Sequence, residues 1–215
     1  MLQTRFVALE GLEGTGKTTV IPFVKERLTK QGIRVAVKPE FPPGALAEEF
    51  AEALGGGLFL AEQLRIPATA AFFYLLHSEA RALAALDVED CGLVLADRYL
   101  YTHALYQGYF AVGPDMFDPV RIVDAMTLLF HAIRLPVPDL VVLLKAPIET
   151  VVQRVATREQ RPIRVEEQRV LVHLRDAYDA LHAAQIQPVV TVDATRSPEQ
   201  LADEIADVII SSLSL

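Results

Sequence analysis

The stretch Phe6-Val7-Ala8-Leu9-Glu10-Gly11-Leu12-Glu13-Gly14-Thr15-Gly16-Lys17-Thr18-Thr19 decides how the chain is read. Phe6–Glu10 is a short, nearly continuous apolar run, the pattern of a strand covered on both faces. It feeds directly into Gly11–Thr18, which matches the phosphate-loop pattern GxxxxGK(S/T). Glycines there let the backbone turn tightly, so that successive N–H groups point at phosphate oxygens. The helix predicted from Thr18 to Lys30 adds its positive end to the same anion. Gly11, Leu12, Glu13, Gly14, Thr15, Gly16, Lys17, Thr18 and Thr19 are therefore the expected nucleotide-phosphate cradle. Lys17 is placed to reach the β- and γ-phosphates and the Thr18 hydroxyl to ligate Mg²⁺, which makes a nucleotide with Mg²⁺ the expected ligand.

Four further runs resemble the first: Ile33–Lys38, Leu93–Asp97, Leu140–Leu144 and Val189–Asp193. Between them lie segments with helical spacing. Thr18–Lys30 places Ile21, Val24 and Leu28 on one face and ends at Gly32. Glu166–Ala184 repeats apolar residues at Val170, Leu174, Ala177 and Leu181, and the segment from Ser197 opens with a Ser-Pro-Glu-Gln start signal. Strands alternating with helices predict right-handed βαβ units in an α/β sandwich with one parallel sheet. Pro42-Pro43-Gly44 and Gly55-Gly56-Gly57 read as loops at its rim, and no linker divides residues 1–215 into two domains.

The composition narrows the partners. The chain has 215 residues, 52 % hydrophobic and 22 % charged, with a formal charge of −8. A packed core is expected and intrinsic disorder is excluded. The acidic balance argues against a nucleic-acid backbone as partner, because phosphate tracking needs a basic face. One cysteine, Cys91, excludes an intramolecular disulfide and fits a reducing compartment. No apolar run reaches the roughly 18 residues of a membrane span, and no signal peptide is read at the start. The expectation is a soluble, cytoplasmic protein.

The third run ends Asp97-Arg98-Tyr99 and is followed by Tyr106-Gln107-Gly108. An acid at the carboxyl end of a strand beside the phosphate loop can hold Mg²⁺ or its water. An arginine directly after it can bridge donor and acceptor phosphates. After Leu140–Leu144 the chain reads Lys145-Ala146-Pro147-Ile148, which is not the Asn-Lys-x-Asp guanine reader of a GTPase. Small-molecule kinases remain. Arg154, Arg158, Arg161 and Arg164 stud a further stretch, with Pro162 marking a loop between two helices. A lid over the donor and a solvated basic face are both open readings of it.

Taken together, the Phe6–Thr19 stretch, Glu40-Phe41-Pro42, Asp97-Arg98-Tyr99, Tyr106-Gln107-Gly108, the arginines at 154–164 and Asp193-Ala194-Thr195 resemble the thymidylate (dTMP) kinase family. The resemblance covers nearly the whole chain. It implies a P-loop kinase three-layer sandwich with a five-stranded parallel sheet, flanking helices and an arginine-rich lid at about 154–166. It also implies transfer of the ATP γ-phosphate to dTMP, and a homodimer. Residue by residue, it implies that Glu40 and Phe41 line the acceptor pocket and that Phe73 stacks on the pyrimidine. Arg98 would hold the acceptor phosphate, and Tyr99, His103, Tyr106 and Gln107 would lie around base and sugar. Thr18 and Asp97 would hold the metal. The phosphate loop carries Glu13 rather than an arginine, so the lid is expected to supply the catalytic cation, Arg158 or Arg161.

The sequence departs from the family at His77. The family has an arginine four residues after the stacking phenylalanine, and a histidine cannot make a bidentate phosphate fork. A different nucleotide or nucleoside acceptor, and nucleotide binding without transfer, are the alternatives this leaves open.

Overall fold

The computed structural model describes residues 4–40 and 68–215, with the side chains of the helix that opens the second stretch described from Tyr74 onward. Phe41, the Phe73 side chain and the two predicted glycine loops lie outside the described residues.

Five parallel strands form one sheet: β1 (Arg5–Glu10), β2 (Val35–Lys38), β3 (Leu93–Asp97), β4 (Leu140–Lys145) and β5 (Val189–Asp193). Their spatial order is β2-β3-β1-β4-β5. β1 therefore sits centrally, with Ala8 opposite both Ala96 of β3 and Val141 of β4. In an open parallel sheet the crevice at the carboxyl ends of the strands, where the order reverses, is where ligands bind. The phosphate loop leaves β1 at that point.

The seven helices of the described residues are α1 (Lys17–Lys30), α2 (Ala68–Ala84), α3 (Leu100–Val112), α4 (Pro119–Ala132), α5 (Ile148–Glu159), α6 (Val165–Ala184) and α7 (Pro198–Leu213). Two apolar clusters cover the sheet. Val7, Leu9, Leu93, Leu95 and Val142 face Val20, Val24 and Leu28 of α1 and Leu201, Ile205 and Ile209 of α7. Ala8, Val94 and Val141 face the opposite layer, where Leu105, Val123, Phe130, Leu171 and Leu174 of α3, α4 and α6 pack. Alternate residues of each strand thus serve opposite layers, which is why the runs read as continuously apolar.

All five predicted strands are present, with one shortened. Ile33 was expected in β2, but its N–H donates to the Leu28 carbonyl at 3.0 Å while Gly32 N–H donates to Thr29. With Gly32 at φ +83°, these bonds close α1 in a Schellman cap and take Ile33 out of the strand. Helix α4 was not predicted. Its start signal is present in the sequence: Asp118 accepts the Arg121 N–H at 3.1 Å and Pro119 occupies the first turn. Among the described residues, no helix is long and apolar enough to cross a membrane.

Candidate active site

The phosphate loop runs from the end of β1 to the first turn of α1. Gly11 adopts φ +138°, and a Cβ there would meet the Leu144 carbonyl oxygen at 2.5 Å. Only glycine lets the loop pass that close to β4. Gly16 sits left-handed at φ +90° immediately before α1. The opening N–H groups of α1 have no earlier carbonyl to bind within the helix, so they are free for an anion.

Lys17 is buried, 4 % exposed, and its ammonium donates to the carbonyls of Gly11 at 2.9 Å and Leu12 at 2.8 Å. Burial pushes its pKa down to about 7. Arg98 adds to that effect, and Glu40, Asp97 and Glu13 oppose it. Phosphate oxygens arriving beside this ammonium would restore its charge. Beside it, the Thr18 hydroxyl donates to Asp97 Oδ2 at 2.6 Å. The other Asp97 oxygen is buried with no hydrogen-bond partner among the described residues. A hydroxyl and a carboxylate with a spare buried oxygen are the donor types a magnesium ion takes.

A cavity of about 590 Å³ opens over this loop, and Thr18, Glu40, Arg98, Arg154, Arg158 and Arg196 are among its lining residues. Arg154 closes one wall, donating to the carbonyls of Gly14 at 3.2 Å and Ala194 at 3.0 Å. It thereby ties the phosphate loop to the end of β5. Arg158, one turn on, lines the same cavity with its side chain half exposed and paired to Glu159 at 3.0 Å.

Arg161 is placed differently from its expected role. Both its terminal nitrogens donate to Glu167, at 2.7 and 2.8 Å, and Glu167 also accepts the Arg164 N–H at 2.8 Å. The Arg161 hydrogen bond, aided by Arg164 and opposed by burial, holds the Glu167 carboxyl down at about 2. Arg161 is thus an anchor between α5 and the start of α6, because its fork is already matched to a carboxylate.

Arg98 follows β3 and lies beside the phosphate loop. Its backbone is left-handed at φ +60°, which costs an L-residue roughly 1–2 kcal/mol. Its side chain donates to the Gly11 carbonyl at 3.2 Å, pairs with Glu40 at 3.1 Å and lies 5.7 Å from the centre of the Tyr106 ring. Burial works against its charge, yet Glu40, Tyr106 and Glu13 outweigh burial and hold its pKa well above the usual arginine range. Tyr106 donates its hydroxyl to Glu13 at 2.8 Å. Glu13, Glu40, Arg98 and Tyr106 therefore meet beside the phosphate loop. Gln107, on the same helix as Tyr106, is buried, and its amide oxygen has no partner among the described residues.

Two residues expected at the acceptor are buried against other groups of the protein. Tyr99 is fully buried, its ring 4.8 Å from that of Phe6 and 5.4 Å from that of Phe130. Arg98 and Tyr99 point apart because the left-handed turn sends consecutive side chains to opposite sides. His103 is also buried and meets Glu79 Oε1 at 2.8 Å. Glu79 in turn accepts Lys38 at 2.6 and 2.7 Å. Desolvation raises the Glu79 pKa, but His103 and Lys38 overcome it and hold the group below the usual range. This Lys38–Glu79–His103 network joins the end of β2, α2 and α3. His77 is exposed on α2, between buried Leu76 and Ser78.

The sequence reading missed Glu10 and the Lys38–Glu79 pair, and it gave Arg154 only a place among the lid arginines, not its bonds to Gly14 and Ala194. A signal existed for two of them. Glu10 and Lys38 are charges at the ends of otherwise apolar strands, and such groups are almost never buried without partners.

Comparison with known proteins agrees with this geometry. A sequence model of the thymidylate kinase family matches residues 9–205. The thymidylate kinase of Bradyrhizobium sp. (strain ORS 278) is 30 % identical over 212 residues, covering 95 % of this chain and 89 % of that protein. That of Rhodopseudomonas palustris (strain ATCC BAA-98 / CGA009) is 31 % identical, covering 95 % and 87 %. That of Alkalilimnicola ehrlichii (strain ATCC BAA-1101 / DSM 17681 / MLHE-1) is 31 % identical, covering 100 % of this chain and 96 % of its own length. With a phosphate loop, a cross-strand arginine and a match along nearly its whole length, the chain belongs to the thymidylate kinase family.

Proposed function

We propose that this protein transfers the γ-phosphoryl group of ATP to dTMP, giving ADP and dTDP. One observation carries the reading: the Arg98 guanidinium, paired with Glu40 at 3.1 Å, lies 3.2 Å from the Gly11 carbonyl, so a cation able to meet a second phosphate stands directly against the loop that meets the first. A reaction that joins two phosphates needs two such sites at one point.

The residues divide the work. The loop amides and Lys17 hold the β- and γ-phosphates of the donor. Arg98 holds the acceptor phosphate and lines up one of its oxygens with the γ-phosphorus. That oxygen forms the new bond as the bond from the γ-phosphorus to the β–γ bridging oxygen breaks, and ADP departs with the electron pair. Little covalent help is required, because positioning and charge stabilisation supply most of the acceleration. Arg158, in the wall of the donor cavity, is the lid cation in this scheme, while Arg161 holds the lid's base. Thr18 and Asp97 are the Mg²⁺-holding residues, and the ion when bound neutralises charge on the bridging phosphates.

Glu40 and Tyr106 face the acceptor in this proposal. Phe41, Phe73 and His77 are assigned to the base on the family resemblance, and Gln107 to base or sugar. The catalytic unit is a single domain over residues 1–215, with its lid at about 154–166 and a homodimer as its assembly. Buried, unpaired Cys91 supports a cytoplasmic setting.

The test is ADP release from Mg·ATP against dTMP, dUMP, dCMP, dAMP, dGMP, UMP and thymidine. Turnover highest with dTMP is expected. Turnover with another acceptor only would reassign the substrate, and silence with all seven would remove the transfer activity.

A further inference from the structure

The carboxylate of Glu10 is fully buried at the end of β1, next to the phosphate loop yet turned away from it. Its Oε1 accepts the backbone N–H groups of Tyr99 and Tyr101, both at 3.0 Å. Its Oε2 accepts the Thr102 N–H at 3.2 Å and the Thr102 hydroxyl at 2.5 Å. These are the orphan donors at the start of α3. Tyr99, in the N-cap position of that helix, supplies no side-chain cap. Glu10, 89 residues earlier in the chain, caps α3 in its place, and its negative charge sits at the positive end of the helix.

Arg98 lies between these bonds and the strand. Its own N–H donates to the Leu9 carbonyl at 3.0 Å, while the next residue's N–H is held by Glu10. Two adjacent residues of β1 thus pin both sides of the left-handed turn, which offsets its conformational cost. The Thr102 hydroxyl completes the link. It gives its hydrogen to Glu10 and lies 3.4 Å from Arg98 Nη1 and 3.1 Å from the Tyr178 hydroxyl.

We infer that Glu10 is a positioning residue for the phosphoryl acceptor: capping α3 and holding the Arg98 turn, it aims the Arg98 guanidinium at the acceptor phosphate. The inference rests on the reading of Arg98 given above. Glu10 touches neither substrate. It acts through Arg98, and it places β1 in both halves of the site, since the same strand leads into the phosphate loop.

The experiment is titration calorimetry of dTMP and of a non-hydrolysable ATP analogue into Glu10→Gln, Arg98→Ala and the double variant. Replacing one Glu10 oxygen by an amide sets a donor against donors. The expected result is a dTMP affinity about tenfold weaker in Glu10→Gln, with the ATP analogue within about twofold of the parent. In the Arg98→Ala background, Glu10→Gln is expected to add nothing further. Equal losses for both ligands, or an undiminished Glu10→Gln effect without Arg98, would overturn the inference. An unchanged dTMP affinity in Arg98→Ala alone would instead overturn the reading of Arg98. Should Glu10→Gln fail to fold, Thr102→Val carries the test. It is expected to weaken dTMP about threefold and leave the analogue unaffected, and any other pattern counts against the proposal.

Discussion

The two halves of the site are made of different material. The proposed donor half is largely backbone: nine consecutive residues, Gly11–Thr19, fold into a loop and a helix start whose N–H groups would meet the phosphates. The proposed acceptor half is side chains: Glu13, Glu40 and Tyr106, from three separate places, converge on the Arg98 guanidinium. A backbone site is specified locally, by glycines that permit its conformation. A side-chain site is specified by whatever holds its scattered elements in register. Here that is a pair of buried carboxylates, Glu10 beneath α3 and Glu79 between α2, α3 and β2.

If this division is right, the largest effect belongs to the donor half. Lys17→Ala is expected to lower kcat about 10³-fold, through loss of charge at the transferring phosphate. Steady-state ADP release measures it, and near-parental turnover would break the donor assignment. On the other half, Arg98→Ala is expected to lower kcat/KM for dTMP about 10²-fold while KM for ATP stays within about twofold. A shared loss would show that the halves are not separable.

The next effect concerns stability rather than chemistry. Glu79→Gln leaves Lys38 buried without its counter-charge, a change expected to cost about 3 kcal/mol. Urea unfolding followed by circular dichroism checks it, and a loss under about 1 kcal/mol would mean that the network does not hold the acceptor wall.

The lid offers a sharper contrast between neighbours. Arg158→Ala is expected to lower kcat roughly tenfold with an unchanged melting temperature. Arg161→Ala is expected to lower the melting temperature by about 2–4 °C with a smaller effect on kcat, because its partner Glu167 is buried while Arg161 itself is partly exposed. Reversed outcomes would exchange the two roles.

The smallest expected effect is a pH dependence. The Lys17 pKa is near 7 without ligand, and phosphates raise it. Below about pH 7 the ammonium is already charged and its contribution to ATP affinity is constant. Above about pH 7 binding must take up a proton, so affinity falls by at most about tenfold per unit. Calorimetry near pH 8, in buffers of different ionisation enthalpy, would detect that uptake of about one proton. Release of protons would contradict it.

The same contrast explains what could be read without coordinates. The sheet was legible because its strands are covered on both faces and so read as unbroken apolar runs; β2 starts two residues later than expected, at Val35, because a helix cap takes the Ile33 N–H. The phosphate loop was legible because its chemistry is local. Arg98 drew attention by its place directly after the strand-end Asp97, and Tyr106 through family resemblance alone. The burial of Tyr99 was not legible because adjacent residues of one motif diverge at a left-handed turn, a conformation no spacing rule anticipates in an arginine, and that of His103 because its partner Glu79 comes from a separate helix. The pairing of Arg161 was not legible, because nothing in the sequence distinguishes Glu167 from its neighbour Glu166. Nothing in the order of residues marks Glu167 as buried.

The most direct measurement is a crossed binding experiment, with dTMP and a non-hydrolysable ATP analogue each titrated into Lys17→Ala and Arg98→Ala. The account predicts that Lys17→Ala loses the analogue and keeps dTMP, whereas Arg98→Ala loses dTMP and keeps the analogue. Loss of both ligands in both folded variants would contradict a site divided between backbone and side chain.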